Sequence, residues 1–185
     1  MSALRIDGYV IVSGDGMLAN AEHVMPDELK FEGDKRFFTS ALDRADLIVH
    51  GRHSFEDQPN SPLRTRIVLT RATAAIAPDP SNARATLWNP AGASFEAACE
   101  HAGIRSGTAA IIGGPDVFAM FLDRYDTFWL SQAPHVRLPD GEPCFPGVPA
   151  RSPEAILAAH GLIAGAAEIL DATEDVSVTP WRRVA

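Results

Sequence analysis

Residues 109–118 read Ala-Ala-Ile-Ile-Gly-Gly-Pro-Asp-Val-Phe, and residues 47–56 read Leu-Ile-Val-His-Gly-Arg-His-Ser-Phe-Glu. Each stretch opens with a short apolar run that is typical of a buried strand, and glycine then turns the chain towards a helix. Ligands bind in open α/β sheets at the carboxyl ends of the strands. Glycine there lets the backbone approach a phosphate, and a helix N-terminus directs N–H groups at it. Neither turn has GxGxxG or GxxxxGK[S/T] spacing, so each alone is a generic turn.

Outward from these turns, apolar runs alternate with segments of helical composition. We predict strands at 10–12, 47–50, 66–70, 85–88, 109–112 and 127–133, and helices from 26 to about 42, over 52–57, 94–102 and 117–122, and from 152 to 160. This alternation predicts an α/β sandwich with a mostly parallel sheet. Two apolar stretches near the C-terminus, 163–170 and 176–178, predict a hairpin that adds an antiparallel edge.

The composition is that of a globular protein, with 46% apolar and 22% charged residues. A chain of 185 residues fits a single domain over 1–185. The net charge of −8 argues against a nucleic-acid partner, because general nucleic-acid binders are basic. An anionic ligand would therefore need a local cluster of arginines.

Neither a membrane nor an oxidising compartment is indicated. No apolar run reaches the roughly 18 residues of a membrane span, and the N-terminus lacks a basic leader and a cleavage site. Nothing requires a disulfide between Cys99 and Cys144, so a reduced cytoplasm is the default. We expect a small-molecule substrate, no nucleic-acid or membrane partner, and leave a homodimer open.

Several polar residues are candidates for a site. Arg52 and Arg71 each follow a strand, which favours either a local anion site or solvated surface charge. Glu28 opens the predicted helix after Pro26, where it either faces a cleft as an acid or stabilises the helix dipole; Asp27 competes with it. The six histidines show no HxxxH or HxH pair, so no metal is expected. The absence of a GxSxG elbow disfavours Ser/His/Asp hydrolysis.

The order of these pieces resembles the dihydrofolate reductase superfamily, including the C-terminal reductase domain of the bacterial riboflavin-pathway enzyme RibD. The resemblance covers about 6–146 and rests on four segments: Leu47–Glu56, Arg66–Arg71, Ile111–Gly114 with Val117 and Phe118, and Phe145-Pro146. It implies a dihydrofolate reductase-like three-layer sandwich. The family joins the paired glycines by a cis peptide beside the cofactor, a geometry that is unusual outside X-Pro bonds.

The resemblance also implies an NADPH site. Arg52 and Arg71 would hold the 2′-phosphate, and His53 and Ser54 would donate to the pyrophosphate. The remaining implied cofactor residues lie at strand ends and in the glycine turn: Gly51, Leu69, Thr70, Gly113, Gly114, Pro115, Asp116 and Val117.

On the substrate side, Glu28 matches the family's acid and Ser131 the hydroxyl residue beside it. Phe31 would contact the substrate, and Arg64 falls where the folate enzymes bind the substrate's glutamate carboxylate. The chain would then be an NADPH-dependent oxidoreductase of a pterin in folate metabolism or of a ribosylaminopyrimidine in riboflavin biosynthesis.

The departures from the family bear on the substrate. The Pro-Trp pair of the folate enzymes is missing, and His23 and Val24 stand near its place. The turn over 13–19, Ser-Gly-Asp-Gly-Met-Leu-Ala, instead resembles the Ser-x-Asp-Gly-x-Ile-Ala turn of RibD-type reductases. Glu28 with Arg64 favours the pterin, and this turn favours the pyrimidine. A non-catalytic NADPH-binding module of the same fold is the alternative to an enzyme.

Overall fold

The computed structural model describes residues 3–185. Its strands are β1 (Leu4–Ser13), β2 (Met17–Ala19), β3 (Leu47–Gly51), β4 (Arg66–Leu69), β5 (Ile76–Asp79), β6 (Asn82–Trp88), β7 (Gly107–Ile111), β8 (Thr127–Ala133), β9 (Glu142–Pro143), β10 (Leu162–Ala164), β11 (Glu168–Asp171) and β12 (Val176–Arg183). Its α-helices are α1 (Glu32–Arg44), α2 (Phe95–His101), α3 (Pro115–Met120) and α4 (Pro153–Ala159), and 3₁₀ turns span Asp27–Leu29 and Ser61–Leu63.

One large sheet runs through the described residues in the order β10-β12-β8-β1-β7-β3-β4-β6-β5, with β11 paired to β12. The six central strands, from β8 to β6, are parallel to their neighbours. The strands at both edges are antiparallel, including the C-terminal β11–β12 hairpin. The predicted mostly parallel sheet with an antiparallel C-terminal hairpin is therefore confirmed.

The direction of the crossovers decides which face each helix covers. The chain passes from β1 through α1 to β3, and later returns through α2 to β7, which lies between β1 and β3. Because crossovers between parallel strands are right-handed, this reversal of direction puts α1 and α2 on opposite faces. Two apolar clusters result: one holds α1 against Tyr9, Ile48 and Ala110, and the larger one holds α2, α3 and α4.

Local sequence sets the ends of the shorter helices. Ser94 and Ser152 cap α2 and α4, and each side-chain oxygen accepts a hydrogen bond of 3.1 Å from a backbone N–H three residues on. Pro153 follows its cap at the first helical position, where a missing N–H costs nothing. Gly103 ends α2 with φ of +77°, in the left-handed region that glycine favours.

Three sequence expectations fail. The helix predicted from 26 to about 42 is interrupted, because Lys30 and Phe31 adopt extended backbone and α1 begins only at Glu32. Residues 52–57 form no helix in the structure. The edge strand β5 and the small sheet of β2 with β9 lie in segments for which no strand was predicted.

No helix within residues 3–185 is long and apolar enough to cross a membrane. Cys99 and Cys144 are both buried free thiols.

Candidate functional site

A cavity of about 930 Å³ opens between α1 and the carboxyl ends of the central strands. Such a volume suits a small-molecule ligand. Aromatic rings provide much of its wall: Tyr9, Phe37, Phe38, Phe55, Phe118 and Trp129. The Tyr9 and Trp129 rings are parallel at a centroid distance of 6.4 Å, and the Phe37 ring packs at a tilt against both. These surfaces suit a flat aromatic ligand.

The carboxyl group of Asp34 lies on the cavity wall beside Ser131. Asp34 is in the first turn of α1, and the buried Ser131 is near the end of β8. Burial raises the pKa of Asp34 from 3.8 to about 6, although hydrogen bonding to Ser131 lowers it. About one Asp34 in ten is then protonated at pH 7, which suits a general acid.

The acid that the sequence indicated lies elsewhere. Glu28 is exposed in the 3₁₀ turn Asp27–Leu29, does not line the cavity, and so does not stand beside Ser131 as expected. Asp27 is also exposed and pairs with Lys30 at 3.0 Å. Phe31 immediately precedes α1 and packs against the larger apolar cluster, outside the cavity lining. These placements correct the prediction of substrate contact for Glu28 and Phe31.

Asp34 could have been found from helical spacing. Asp34, Phe37 and Phe38 stand at positions i, i+3 and i+4 of α1, which places a carboxyl and two aromatic rings on one helix face. The extended residues before Glu32 obscured this pattern, because they shift the first helical turn six residues beyond Pro26. The acidic pair at 27–28 therefore looked like the start of the helix.

The paired glycines lie between the cavity and β3. The Gly113–Gly114 peptide bond is cis, as the resemblance implied. Gly113 has φ of +114°, and a Cβ there would lie 3.0 Å from the Phe118 ring. Its carbonyl accepts a hydrogen bond of 2.7 Å from the Gly51 N–H, so the ends of β3 and β7 are held together. Gly114 lines the cavity.

Four predicted cofactor residues follow the ends of β3 and β4. His53 and Ser54 line the cavity, but they lie in a turn and not at a helix start, so the expected helical N–H donors are absent there. Arg52 and Arg71 are both exposed. Arg52 follows β3 and Arg71 follows β4, and these two strands are paired so that Gly51 lies opposite Leu69. Neither guanidinium forms an ion pair with a carboxylate within residues 3–185.

The other predicted cofactor residues contribute mainly backbone and packing. Leu69 is buried, and the Thr70 N–H donates to the Trp88 carbonyl at 2.9 Å. Pro115 starts α3, Asp116 is exposed in its first turn, and Val117 is buried, with its side chain 3.6 Å from where a Cβ on Gly51 would lie.

Arg64 does not stand free to receive a substrate carboxylate. It belongs to an ion network, named here the Glu56 network, in which the exposed Asp43 is joined to four buried residues, Glu56, Ser61, Arg64 and Arg66. Arg64 donates to Glu56 at 2.9 Å and to Asp43 at 2.7 Å, and Arg66, only 1% exposed, donates to Glu56 at 2.9 Å. The predicted role of Arg64 is therefore corrected, because its charge is already compensated.

Glu56 itself is the one member of this network that lines the cavity. Burial raises the pKa of Glu56, but hydrogen bonds from Arg66, Ser61 and Arg64 outweigh burial and hold the pKa below its usual 4.5. The guanidinium carbon of Arg66 lies over the Phe55 ring, 4.4 Å from the ring centroid. Sequence reasoning missed the network, because it joins residues whose pairing depends on the path of the 52–65 loop.

The Ser-x-Asp-Gly turn is structural in this chain. Its Asp15 accepts hydrogen bonds from the Ser13 hydroxyl and from the Leu138 N–H, and Asp15 does not line the cavity. The following β2 pairs with β9 at the cavity mouth. There His23 and Glu142, both of which line the cavity, approach to 3.2 Å.

Within residues 3–185, no group of three or more His, Cys, Asp or Glu side chains is placed to hold a metal ion.

Comparison with known proteins gives structural matches only. No protein-family model matches the sequence, and no curated protein matches it significantly. Among solved structures, a candidate riboflavin biosynthesis protein from Shewanella sp. PV-4 is 18% identical with a TM-score of 0.65, and the match covers 98% of this chain and 99% of that one. Dihydrofolate reductase from Enterococcus faecalis, complexed with NADP(H) and RAB-propyl, is also 18% identical with a TM-score of 0.66, covering 98% and 97%.

A third match is the diaminohydroxyphosphoribosylaminopyrimidine deaminase/5-amino-6-(5-phosphoribosylamino)uracil reductase of Thermotoga maritima. It is 15% identical with a TM-score of 0.68, and the match covers 98% of this chain but 57% of that one. At these identities the comparisons show the fold, which is that of dihydrofolate reductase and of the riboflavin-pathway reductases.

Proposed function

We propose that this chain is an NADPH-dependent reductase of a small planar heterocycle. The observation that carries the proposal is the position of Asp34: a carboxyl with a raised pKa, beside Ser131, in an aromatic cavity of a reductase fold. A solvated carboxylate of the helix N-terminus would not have this pKa.

The residues around the glycine turn fit a dinucleotide. Gly114 presents backbone without a side chain to the cavity, and a Cβ there would come within 3.5 Å of the Ser54 hydroxyl. Arg52 and Arg71 are exposed, without a carboxylate partner among the described residues, and follow neighbouring strands, which suits a phosphate group. NADPH, when bound, supplies a hydride to an electrophilic carbon.

The chain's own chemistry is the supply of a proton. Addition of hydride to a C=N bond builds negative charge on nitrogen, so a proton must arrive there almost simultaneously. Asp34 in its protonated form donates that proton, directly or through a water molecule, and Ser131 fixes the orientation of the carboxyl group. The aromatic walls hold the flat substrate and exclude bulk water, which strengthens both effects.

Two ring systems fit this chemistry, a dihydropterin and an aminopyrimidine of riboflavin synthesis. Asp34 takes the role that was predicted for Glu28, so the proposed acid comes from α1 and not from residues 27–28. Arg64, which favoured the pterin, is tied to Glu56 and Asp43, and the turn that favoured the pyrimidine is structural. We therefore keep both ring systems within the proposal.

The test is NADPH oxidation with dihydrofolate and with 5-amino-6-(5-phosphoribosylamino)uracil, and with their uncharged derivatives. Asp34→Asn should lower the single-turnover rate at neutral pH by about 10²-fold or more, with nearly unchanged NADPH affinity. Glu28→Gln is the matched control and should keep the wild-type rate. NADPH binding without oxidation of any compound would favour the non-catalytic module, and equal rates in the two variants would contradict the role of Asp34.

A further inference from the structure

The ionisable lining of the cavity is acidic. Three carboxyl groups line it, those of Asp34, Glu56 and Glu142, together with the imidazoles of His23 and His53. Among residues 3–185, no lysine or arginine lines this space. A site that binds a phosphate or a carboxylate normally presents arginine, lysine or several free N–H groups to it.

The two buried arginines next to Glu56 are already compensated. The Arg64 and Arg66 guanidinium groups lie behind Glu56, with side chains 6% and 1% exposed, and their charges are balanced by Glu56 and Asp43. The guanidinium of Arg182 stacks on the Trp129 ring at 5.6 Å but does not line the cavity. Arg52 and Arg71 belong to the proposed cofactor edge. None of these cations is therefore available to a substrate tail inside the cavity.

An anionic tail would meet unfavourable charge on the remaining wall. Asp34 has a hydroxyl and no cation beside it, so its ionised form repels a second anion in a space of low polarity. The neighbouring Phe37, Tyr9 and Trp129 rings favour a neutral or cationic flat group, because the ring faces carry negative charge. The part of the cavity around Asp34 and the aromatic rings therefore disfavours a negatively charged substrate tail.

We infer that the substrate is a neutral or cationic planar heterocycle that carries neither a phosphate nor a carboxylate group, an inference that rests on the proposed reductase function. The two ring systems above remain suitable, but their anionic tails do not. Dihydrofolate and a phosphoribosyl-bearing pyrimidine are then poor ligands, and forms of the same rings that lack the charge are good ones.

The experiment compares matched pairs that differ only in charge. One pair is dihydrofolate and its glutamate dimethyl ester, and the other is 5-amino-6-(5-phosphoribosylamino)uracil and its dephosphorylated form. Each compound is titrated calorimetrically into wild-type protein saturated with NADP⁺, which prevents turnover. NADP⁺ affinity is measured first in the absence of these compounds. We expect the uncharged member of at least one pair to bind tenfold tighter or more than its charged partner, and a smaller ratio at high salt.

Equal affinities, or tighter binding of the charged members, would overturn the inference while leaving the proposed function intact. Failure of NADP⁺ to bind would overturn the proposed function itself. Binding of NADP⁺ with none of the four compounds would overturn both the inference and the heterocycle specificity of the proposed function.

Two variants trace the selectivity to the compensated arginines. Asp43→Asn removes the outer partner of Arg64, at a carboxylate that is 37% exposed, so the fold should tolerate it. Glu56→Gln removes the inner partner of both arginines. We expect the affinity ratio within each pair to narrow by about threefold in Asp43→Asn and by about tenfold in Glu56→Gln. An unchanged ratio in Asp43→Asn, the variant that keeps the inner ion pairs, would overturn the assignment of selectivity to this network.

Discussion

Asp34 and Glu56 line the same cavity, but the pKa values of their carboxyl groups are shifted in opposite directions. Asp34 has one hydroxyl group beside it, and burial raises its pKa to about 6. Glu56 is also buried, yet two guanidinium groups and the Ser61 hydroxyl hold its pKa below 4.5. Desolvation raises the pKa of both carboxyl groups, and the presence of compensating cations decides whether the net shift is upwards or downwards.

This difference in pKa gives the two carboxyl groups different roles. A carboxyl group that is partly protonated near neutrality can donate a proton, whereas one that stays ionised between two arginines cannot. The Glu56 network fixes the 52–65 loop, which carries Phe55, His53 and Ser54 to the cavity. Disrupting the Glu56 network should therefore lower the stability of the protein, and removing the Asp34 carboxyl group should lower the rate of catalysis.

The largest effect should come from the Glu56 network. Glu56→Ala leaves Arg64 and Arg66 buried with only Asp43 as a carboxylate partner, and loss of one partner of a buried ion pair costs about 3–5 kcal/mol. We expect the free energy of unfolding, measured with urea, to fall by that amount. Asp27→Ala is the control: it breaks the exposed pair with Lys30 and should cost below about 1 kcal/mol. Similar losses in the two variants would contradict the buried character of the network.

The next effect concerns the pH dependence of hydride transfer. Because the active form of Asp34 is protonated and its pKa is about 6, the single-turnover rate should be constant well below pH 6 and fall as pH rises through that value. At pH 8 the rate should be about 10²-fold below the acid plateau. In Asp34→Asn the single-turnover rate should be low and independent of pH. A rate that rises with pH between 6 and 8 would assign the proton to another group.

The central strands and the paired glycines were predictable, because short apolar runs closed by glycine carry a strong local signal. Residues 127–133 match β8 residue for residue, and the glycine turn lies where residues 111–114 placed it. The C-terminal hairpin followed from two apolar runs around an acidic turn. In these elements local sequence and tertiary structure favour the same conformation.

The acid and the arginine network were not predictable in the same way. Choosing between Glu28 and Asp34 required the start of α1, and extended backbone at Lys30 and Phe31 moved that start. Arg64 has the sequence position of a substrate-binding residue, but its partner Asp43 lies 21 residues away on α1. Such pairings depend on how a loop crosses the sheet, which periodicity does not report.

The arginines show a similar contrast, since Arg52 and Arg71 are exposed and lack carboxylate partners such as those of Arg64 and Arg66. If they hold the 2′-phosphate, Arg52→Ala or Arg71→Ala should weaken NADPH binding about tenfold, the lower end for a charge-assisted bond at an exposed position. NADH lacks that phosphate, so its affinity should hardly change. Fluorescence titration with both cofactors measures the ratio, and Arg84→Ala, at another exposed arginine, is the control. A parallel loss for both cofactors would remove these residues from the phosphate site.

The smallest predicted effect isolates what one hydroxyl group contributes to Asp34. Ser131 lowers the pKa of Asp34 against the effect of burial, and the arginines act in the same direction on Glu56, where together with Ser61 they outweigh burial. Ser131→Ala should therefore raise the midpoint of the pH–rate profile, by about 0.7 pH unit if the hydrogen bond contributes about 1 kcal/mol.

The acid plateau and the midpoint report two different roles of Ser131. A lower plateau in Ser131→Ala would show that the hydroxyl also orients the carboxyl group, whereas the midpoint depends only on the balance between its charged and neutral forms. Ser131→Thr restores the hydroxyl and should bring the midpoint back towards about 6. If Ser131→Ala left the midpoint in place or moved it to lower pH, the hydroxyl would not be stabilising the ionised carboxylate. The contrast between Asp34 and Glu56 would then rest on burial and the arginines alone.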